Sequence, residues 1–185
     1  MVDLSLVHQI KGVIMSTVTF KGNPIQLAGI FPKIGSTIND FQLTDNALNE
    51  IKLSDLHADY IVLNIFPSLD TPTCSNSVRT FNTSAAKLKN CIVLCISNDL
   101  PFAQNRFCST NDIKNVKPLS AFRNHDFARQ LGVEITDGPI RGLLARAVII
   151  LNAKHEVIYT ELVAEIANEP NYEKCLQTIE SRTKQ

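Results

Sequence analysis

A hydroxyl and a thiol share one sharp turn in the segment Phe66-Pro67-Ser68-Leu69-Asp70-Thr71-Pro72-Thr73-Cys74. The chemistry such a pair could do is nucleophilic attack by a cysteine thiolate with a hydroxyl donor close by. Before the turn, Tyr60 to Phe66 reads as a buried apolar strand, and Pro67 and Pro72 interrupt regular pairing. After it, Val78, Phe81, Ala85 and Leu88 recur at helical spacing within Ser75 to Lys89. Cys74 therefore lies at or near a helix start. Unpaired N–H groups and the positive end of the helix dipole favour the anionic sulfur there, and that anion is the form that attacks electrophiles.

The chain has five cysteines, and most buried cysteines are small apolar packing residues. Cys91 and Cys95 belong to the apolar strand Asn90-Cys91-Ile92-Val93-Leu94-Cys95-Ile96, where core roles are expected. Their spacing is not that of a Cys-x-x-Cys redox pair, and no second ligand pair suggests zinc. Cys175 falls on the apolar face of a helix near the C-terminus. Cys74 and Cys108 alone sit at segment boundaries. Arg146 interrupts the apolar run Leu143 to Ile150, and two readings are open for it: the solvent face of a strand, or a buried cation that needs an anionic partner. Thr71 likewise reads as a helix cap or as a donor near the sulfur.

The string Pro67-x-x-x-Thr71-x-x-Cys74 resembles the active-site signature of the peroxiredoxins, and longer stretches resemble their thiol peroxidase subfamily of atypical two-cysteine enzymes. Those stretches are Leu63 to Ser68, Leu94 to Ser97, Asp99 to Gln104, Phe107-Cys108, Asp137-Gly138-Pro139 and Ala145 to Val148, in that order. The resemblance covers roughly residues 16 to 180 and implies a thioredoxin-like fold, a homodimer and thioredoxin as reductant. Position by position, it implies that Cys74 is the peroxidatic cysteine and Cys108 the resolving one, with Thr71, Arg146 and Pro67 completing the peroxide pocket. Alkyl and lipid hydroperoxides are the implied substrates beside hydrogen peroxide. Phe102, Phe107 and Leu69 are candidate apolar walls. Residue types agree: the thiolate attacks one oxygen while charge builds on the other, and the Arg146 guanidinium and the Thr71 hydroxyl can meet that charge. Arg79, five residues past Cys74, has two open roles, support of the pocket or a surface ion pair. If Cys74 opens one helix and Cys108 ends another, a disulfide between them requires both helix ends to rearrange.

The elements that must hold these residues follow from periodicity. Hairpin strands are expected at Thr17 to Phe20 and Ile25 to Ala28, with weaker strands at Phe41 to Thr44 and Glu50 to Leu53. Strands at 60 to 66, 91 to 97 and 116 to 120 alternate with helices at 74 to 88, 100 to 108 and 124 to 131. A hairpin of Arg146 to Leu151 with Val157 to Leu162 follows, then a helix from about Asn171 to Arg182. This is an α/β pattern: a central mixed sheet flanked by helices, with an N-terminal β-hairpin. One domain is expected over 16 to 185. Residues 1 to 15 lie outside the resemblance and have no assigned function. Within them, Leu4, Val7 and Ile10 suit one face of a short helix, and Met15 is an alternative start.

Composition restricts the partners. With 185 residues, 44% of them apolar, and 18 basic against 18 acidic residues, the chain can build a full core and shows no electrostatic signature of a nucleic-acid or membrane-surface binder. No apolar run has transmembrane length and no secretory signal is evident, so a cytoplasmic location is expected. The odd cysteine count fits a reducing compartment. His8, His57, His125 and His155 have no metal-ligand spacing, and no phosphate-binding glycine motif is present, so neither metal nor cofactor is expected. Asp70 and Asp137 suit turns. A hydroperoxide reductase is one functional class. A redox-sensing binding module switched at Cys74 is the other, and it would not need both Thr71 and Arg146. A thioredoxin-type oxidoreductase would need a Cys-x-x-Cys pair.

Overall fold

The computed structural model describes residues 16–183, and the apolar run ahead of the Pro67 turn becomes a central strand of a sheet. The first half contains β1 (Thr17–Phe20), β2 (Asn23–Ala28), β3 (Gln42–Thr44), β4 (Glu50–Lys52), β5 (Tyr60–Ile65), α1 (Pro72–Ala85) and β6 (Cys91–Ser97). The second contains α2 (Pro101–Thr110), β7 (Lys117–Ser120), α3 (His125–Gln130), β8 (Glu134–Ile135), β9 (Ala147–Asn152), β10 (Val157–Leu162) and α4 (Tyr172–Thr183). Seven strands form one mixed sheet in the order β10-β9-β5-β6-β7-β3-β4. β5, β6 and β7 run parallel, and β9 pairs antiparallel with β5. β1, β2 and β8 form a separate three-stranded sheet.

The continuous apolarity of β5 has a direct cause: both of its faces are covered. Ile61, Leu63 and Ile65 face a core shared with Leu27 of β2, Phe127 of α3 and Ile149 of β9. Val62 and Phe66 face a second core made with Val78 and Phe81 of α1 and Cys175 and Ile179 of α4. Burying side chains such as Val78 and Phe81 stabilises by roughly 1.5–3 kcal/mol each, which fixes α1, and with it Cys74, against the sheet.

Several boundaries differ from the sequence expectation. α1 begins at Pro72, where the fixed φ of proline suits a first turn, and Thr71 is the extended N-cap (φ −107, ψ 146). Cys74 is thus the third helical residue. α1 ends at Ala85, short of Leu88, and Asn90 turns the chain through a positive φ of 47° into β6. α2 continues to Thr110, so Cys108 lies inside its last turn instead of ending it. Arg146 lies one residue before β9. The two-residue strand β8 and the 3-10 turn at Leu53–Asp55 are too short to leave a periodic signal. The helix expected around Leu4, Val7 and Ile10 lies outside the described residues.

Candidate active site

The Cys74 side chain has no solvent exposure, and Arg146, 2% exposed, donates from Nη2 to its Sγ at 3.2 Å. Of the two readings open for Arg146, the geometry is that of the buried cation with a sulfur partner. Its placement comes from the backbone on either side. The Nε–H donates to the Ile166 carbonyl at 2.9 Å, and the Arg146 carbonyl accepts from Val163 N at 3.0 Å. Nη1 is buried and has no partner among the described residues. A buried guanidinium nitrogen without an acceptor costs free energy unless something fills its place.

The segment that holds Arg146 is itself held by the N-terminal hairpin. Thr19 N donates to Ala164 O at 2.7 Å, and Ile166 N donates to Thr19 O at 2.8 Å. Between these bonds the Glu165 carboxylate accepts from Lys21 N and Gly22 N, both at 3.0 Å, from the Thr19 hydroxyl at 2.9 Å and from Ala167 N at 3.1 Å. These donors, the Gly22 N–H foremost, bring its pKa down to about 2. Nothing in the sequence distinguished Glu165, because its partners in the hairpin lie more than 140 residues away.

The turn before α1 is fixed from the end of β6. Asp99 accepts from the Ser68 hydroxyl and Leu69 N at 2.7 Å each, and from the Ser97 hydroxyl at 2.8 Å. Pro67 is buried at the start of this turn. Thr71 donates to the Ser68 carbonyl through both its N–H and its hydroxyl, each at 3.1 Å. Its side chain therefore does not cap α1, which begins without a side-chain cap bond. The structure places the Thr71 hydroxyl on the same turn as Pro67 but directs its proton to Ser68, not to sulfur. Further along α1, the buried Ser77 hydroxyl donates to Asn64 Oδ1 at 2.9 Å, and Asn64 Nδ2 lies 3.6 Å from Cys95 Sγ. This ties α1 to β5 and β6. The family-like string around Asp99 was visible in the sequence, whereas the bonds of Asp99 and Asn64 depend on strand adjacency.

Cys108 is not brought to Cys74. All five cysteines are free. Cys74 is held from the β9 side of the sheet through Arg146, whereas Cys108, half-buried, lines a pocket with Asn46, Ser109, Lys114 and Pro118 on the β7 side. β5 and β6 lie between these two sides. Burial pushes the Cys108 thiol up to about 11 and those of Cys91, Cys95 and Cys175 up to about 12 each. Four cysteines are thus disfavoured as anions by desolvation, and Cys74 is the one that receives a guanidinium hydrogen bond.

Arg79 makes no ion pair among the described residues. Its guanidinium donates to Asn111 Oδ1 from Nε at 3.2 Å and Nη2 at 2.9 Å, and to the Ser75 hydroxyl from Nη1 at 3.2 Å. Asp137 accepts from Gln26 N at 2.8 Å, a long-range tie to β2 beyond the turn role expected of it, and Asp70 is exposed. His57 and His125 are exposed, His155 is half-buried, and His8 lies outside the described residues. Leu69 is buried beside the turn, Phe107 is half-buried under Arg79, and Phe102 is 67% exposed, which does not suit it to wall a closed pocket. Among the described residues no helix is long and apolar enough to cross a membrane.

Comparison with known proteins places these observations in a family. The Redoxin family profile matches residues 33–176. A thiol peroxidase of Mycobacterium bovis is 48% identical over 165 residues, which is 89% of this chain and 99% of that protein. The crystal structure of a peroxiredoxin-like protein from Aquifex aeolicus superposes with a TM-score of 0.85 at 38% identity, covering 90% of this chain and 98% of that one. A thiol peroxidase structure from Chromobacterium violaceum gives a TM-score of 0.84 at 20% identity over 91% and 97% of the two chains, a likeness of fold.

Proposed function

The chain belongs to the Redoxin family and is an oxidoreductase of thiol peroxidase type with a thioredoxin-like fold; from that premise we propose that Cys74 is its peroxidatic cysteine. In this reading the Cys74 thiolate attacks one oxygen of a hydroperoxide. The O–O bond breaks, sulfur is oxidised to a sulfenic acid, and the departing alkoxide takes up a proton to leave as alcohol, or as water from hydrogen peroxide. Arg146 holds negative charge on sulfur through Nη2 and meets charge developing on oxygen through Nη1. Pro67 shields the sulfur from water, and the Thr71 hydroxyl, its proton held by the Ser68 carbonyl, presents its lone pairs to the O–H of the hydroperoxide. The Cys108 thiol then attacks the sulfenic sulfur, giving a Cys74–Cys108 disulfide and water. A thioredoxin-type dithiol reduces that disulfide. Alkyl and lipid hydroperoxides, a homodimer, a cytoplasmic location, a role in antioxidant defence and a single domain over residues 16 to 185 complete the proposal.

The observation that carries this reading is the buried Arg146–Cys74 bond of 3.2 Å, with Nη1 of the same guanidinium without a partner among the described residues. A sensor cysteine needs a reactive sulfur but no second donor for a leaving oxygen. The test is to add one equivalent of cumene hydroperoxide to reduced protein and to its Cys74→Ser and Cys108→Ser variants, following alcohol release and mapping disulfides. Stoichiometric alcohol with a 74–108 disulfide is expected for the wild type, no alcohol for Cys74→Ser, and a trapped sulfenic acid for Cys108→Ser. A folded wild type with titratable thiols that consumes no peroxide would sink the reading in favour of a sensor.

A further inference from the structure

Arg79 connects the two helix ends that carry Cys74 and Cys108. Toward α1, its Nη1 donates to the Ser75 hydroxyl at 3.2 Å, and that hydroxyl donates onward to the Pro72 carbonyl at 2.9 Å, inside the first turn that contains Cys74. Toward α2, Nε and Nη2 converge on Asn111 Oδ1, and the guanidinium lies 5.5 Å from the centroid of the Phe107 ring. Asn111 in turn caps α2, its N–H and its Nδ2 both donating to the Phe107 carbonyl, at 3.0 and 2.9 Å. Phe107 and Asn111 flank Cys108. One side chain thus closes a continuous chain of bonds from the first turn of α1 to the last turn of α2.

A second contact lies one turn further along α1 and bounds the segment. Asn82 Oδ1 accepts from Lys114 N at 2.9 Å and Asn115 N at 2.8 Å, while Asn115 Nδ2 donates to Asn82 O at 3.1 Å. Between the Arg79 contact and the Asn82 contact lies Asp112, a non-glycine residue at φ +53°, a backbone region that favours glycine and marks a point of stored conformational cost. The segment from Asn111 to Asn115 is therefore held at one end by Arg79 and pinned at the other by Asn82.

We propose that Arg79 is a positioning residue that latches the α1 and α2 ends together, and so sets the competition between disulfide formation and further oxidation of Cys74. The proposal rests on the Cys74–Cys108 cycle above. Cys74 sulfenic acid has two fates. Attack by the Cys108 thiol forms the S–S bond and expels water. Attack of the sulfenate on a second hydroperoxide breaks another O–O bond, forming sulfinic acid and releasing a second alcohol. The first fate requires both helix ends to unwind, because the two sulfurs are held from opposite sides of β5 and β6. The second requires only that Cys74 stay in place. Every bond Arg79 makes favours the wound state and is lost on unwinding.

The test titrates reduced full-length protein with cumene hydroperoxide and quantifies the 74–108 disulfide and the Cys74 sulfinic acid by mass spectrometry. Arg79→Met and Asn111→Ala are each expected to raise the peroxide concentration for half-maximal sulfinic acid by about tenfold, the scale of losing a charge-assisted hydrogen bond. The double variant should add little, since both substitutions break one contact, and Arg79→Lys, which keeps a cationic donor without the fork, should fall in between. A residue that merely supports the fold would lower the melting temperature without moving this partition. If the wild type forms the disulfide and the partition is unchanged, or shifts toward sulfinic acid, in Arg79→Met and Asn111→Ala, the latch is wrong. If the wild type forms no 74–108 disulfide, the underlying cycle fails and the latch with it.

Discussion

A buried guanidinium with three differently engaged nitrogens is what the proposed chemistry rests on at the level of single residues. Nε of Arg146 is committed to Ile166, Nη2 to the Cys74 sulfur, and Nη1 to no described residue. A lysine could supply charge there but not three fixed directions. Cys108 stands in contrast, since burial alone pushes its thiol up to about 11. While α2 stays wound it is protonated at neutral pH, and the unwinding that the disulfide requires removes that burial, so its thiolate fraction then grows through the ordinary thiol range as pH rises. Disulfide formation after a single turnover should therefore accelerate steadily from pH 6 to 9, measured as loss of sulfenic acid by rapid quench. A step that slows with rising pH would show that the Cys108 thiolate is not the attacking group. Asp99, which anchors Ser68 and Leu69 at 2.7 Å, belongs to the same scale. Asp99→Asn keeps the size but replaces one acceptor oxygen by a donor facing N–H or O–H, so peroxide consumption should fall by about tenfold, with an unchanged rate counting against a positioning role.

Between elements, the unexpected dependence is that of the arginine on the N-terminal hairpin. β1 bonds to Ala164 and Ile166, and Glu165 gathers the tight turn between β1 and β2. Because its hydrogen bonds, the Gly22 N–H foremost, hold the folded Glu165 carboxyl down to about 2 against an ordinary 4.5, its contribution to stability is fully present above the unfolded value and is lost as pH falls through the folded one. Thermal unfolding should show wild-type stability falling from pH 5 to pH 2 more steeply than in Glu165→Gln, which has no such proton to gain; parallel curves would contradict this. Helix α1 depends on packing. Phe81 is 1% exposed and meets Tyr172 edge to face with centroids 5.4 Å apart. Phe81→Ala should cost about 3–5 kcal/mol in urea unfolding, and a loss under about 1 kcal/mol would be outside the range for a buried aromatic. The strand–turn–helix around Cys74 was legible because its cues are local: an apolar run, two prolines and a 3.6-residue period. The hold of Glu165 on residues 19 to 22 was not, because only the folded chain brings them together.

For the molecule as a whole, the proposed cycle asks the helix ends to rearrange against a sheet that stays. β5, β6 and β9 are buried on both faces, whereas among the residues linking Cys74 to Cys108 on α1 and α2 Arg79 is exposed and Ser75, Phe107 and Asn111 are half-buried. Amide exchange should therefore quicken on oxidation at Thr73 to Ser75 and at Phe107 to Asp112 and stay slow in those three strands; protection unchanged at both helix ends would exclude the rearrangement. The order of strands and helices could be read from alternating periodicity, and Cys74, Thr71 and Pro67 from one motif. Arg146 was ambiguous in sequence because an arginine in an apolar run fits a strand surface as well as a buried pocket, and only the cover of both sheet faces decides. Arg79 kept two open readings in sequence, support of the pocket or a surface ion pair, because its partner Asn111 lies 32 residues away in the chain. The measurement to make first is the second-order rate of Cys74 oxidation by cumene hydroperoxide in Arg146→Met against the wild type, with folding checked by circular dichroism. A fall of about a hundredfold or more is expected for loss of a preorganised donor facing the reacting oxygen. A folded variant that reacts as fast as the wild type would contradict the assignment of this pocket as the site of peroxide reduction.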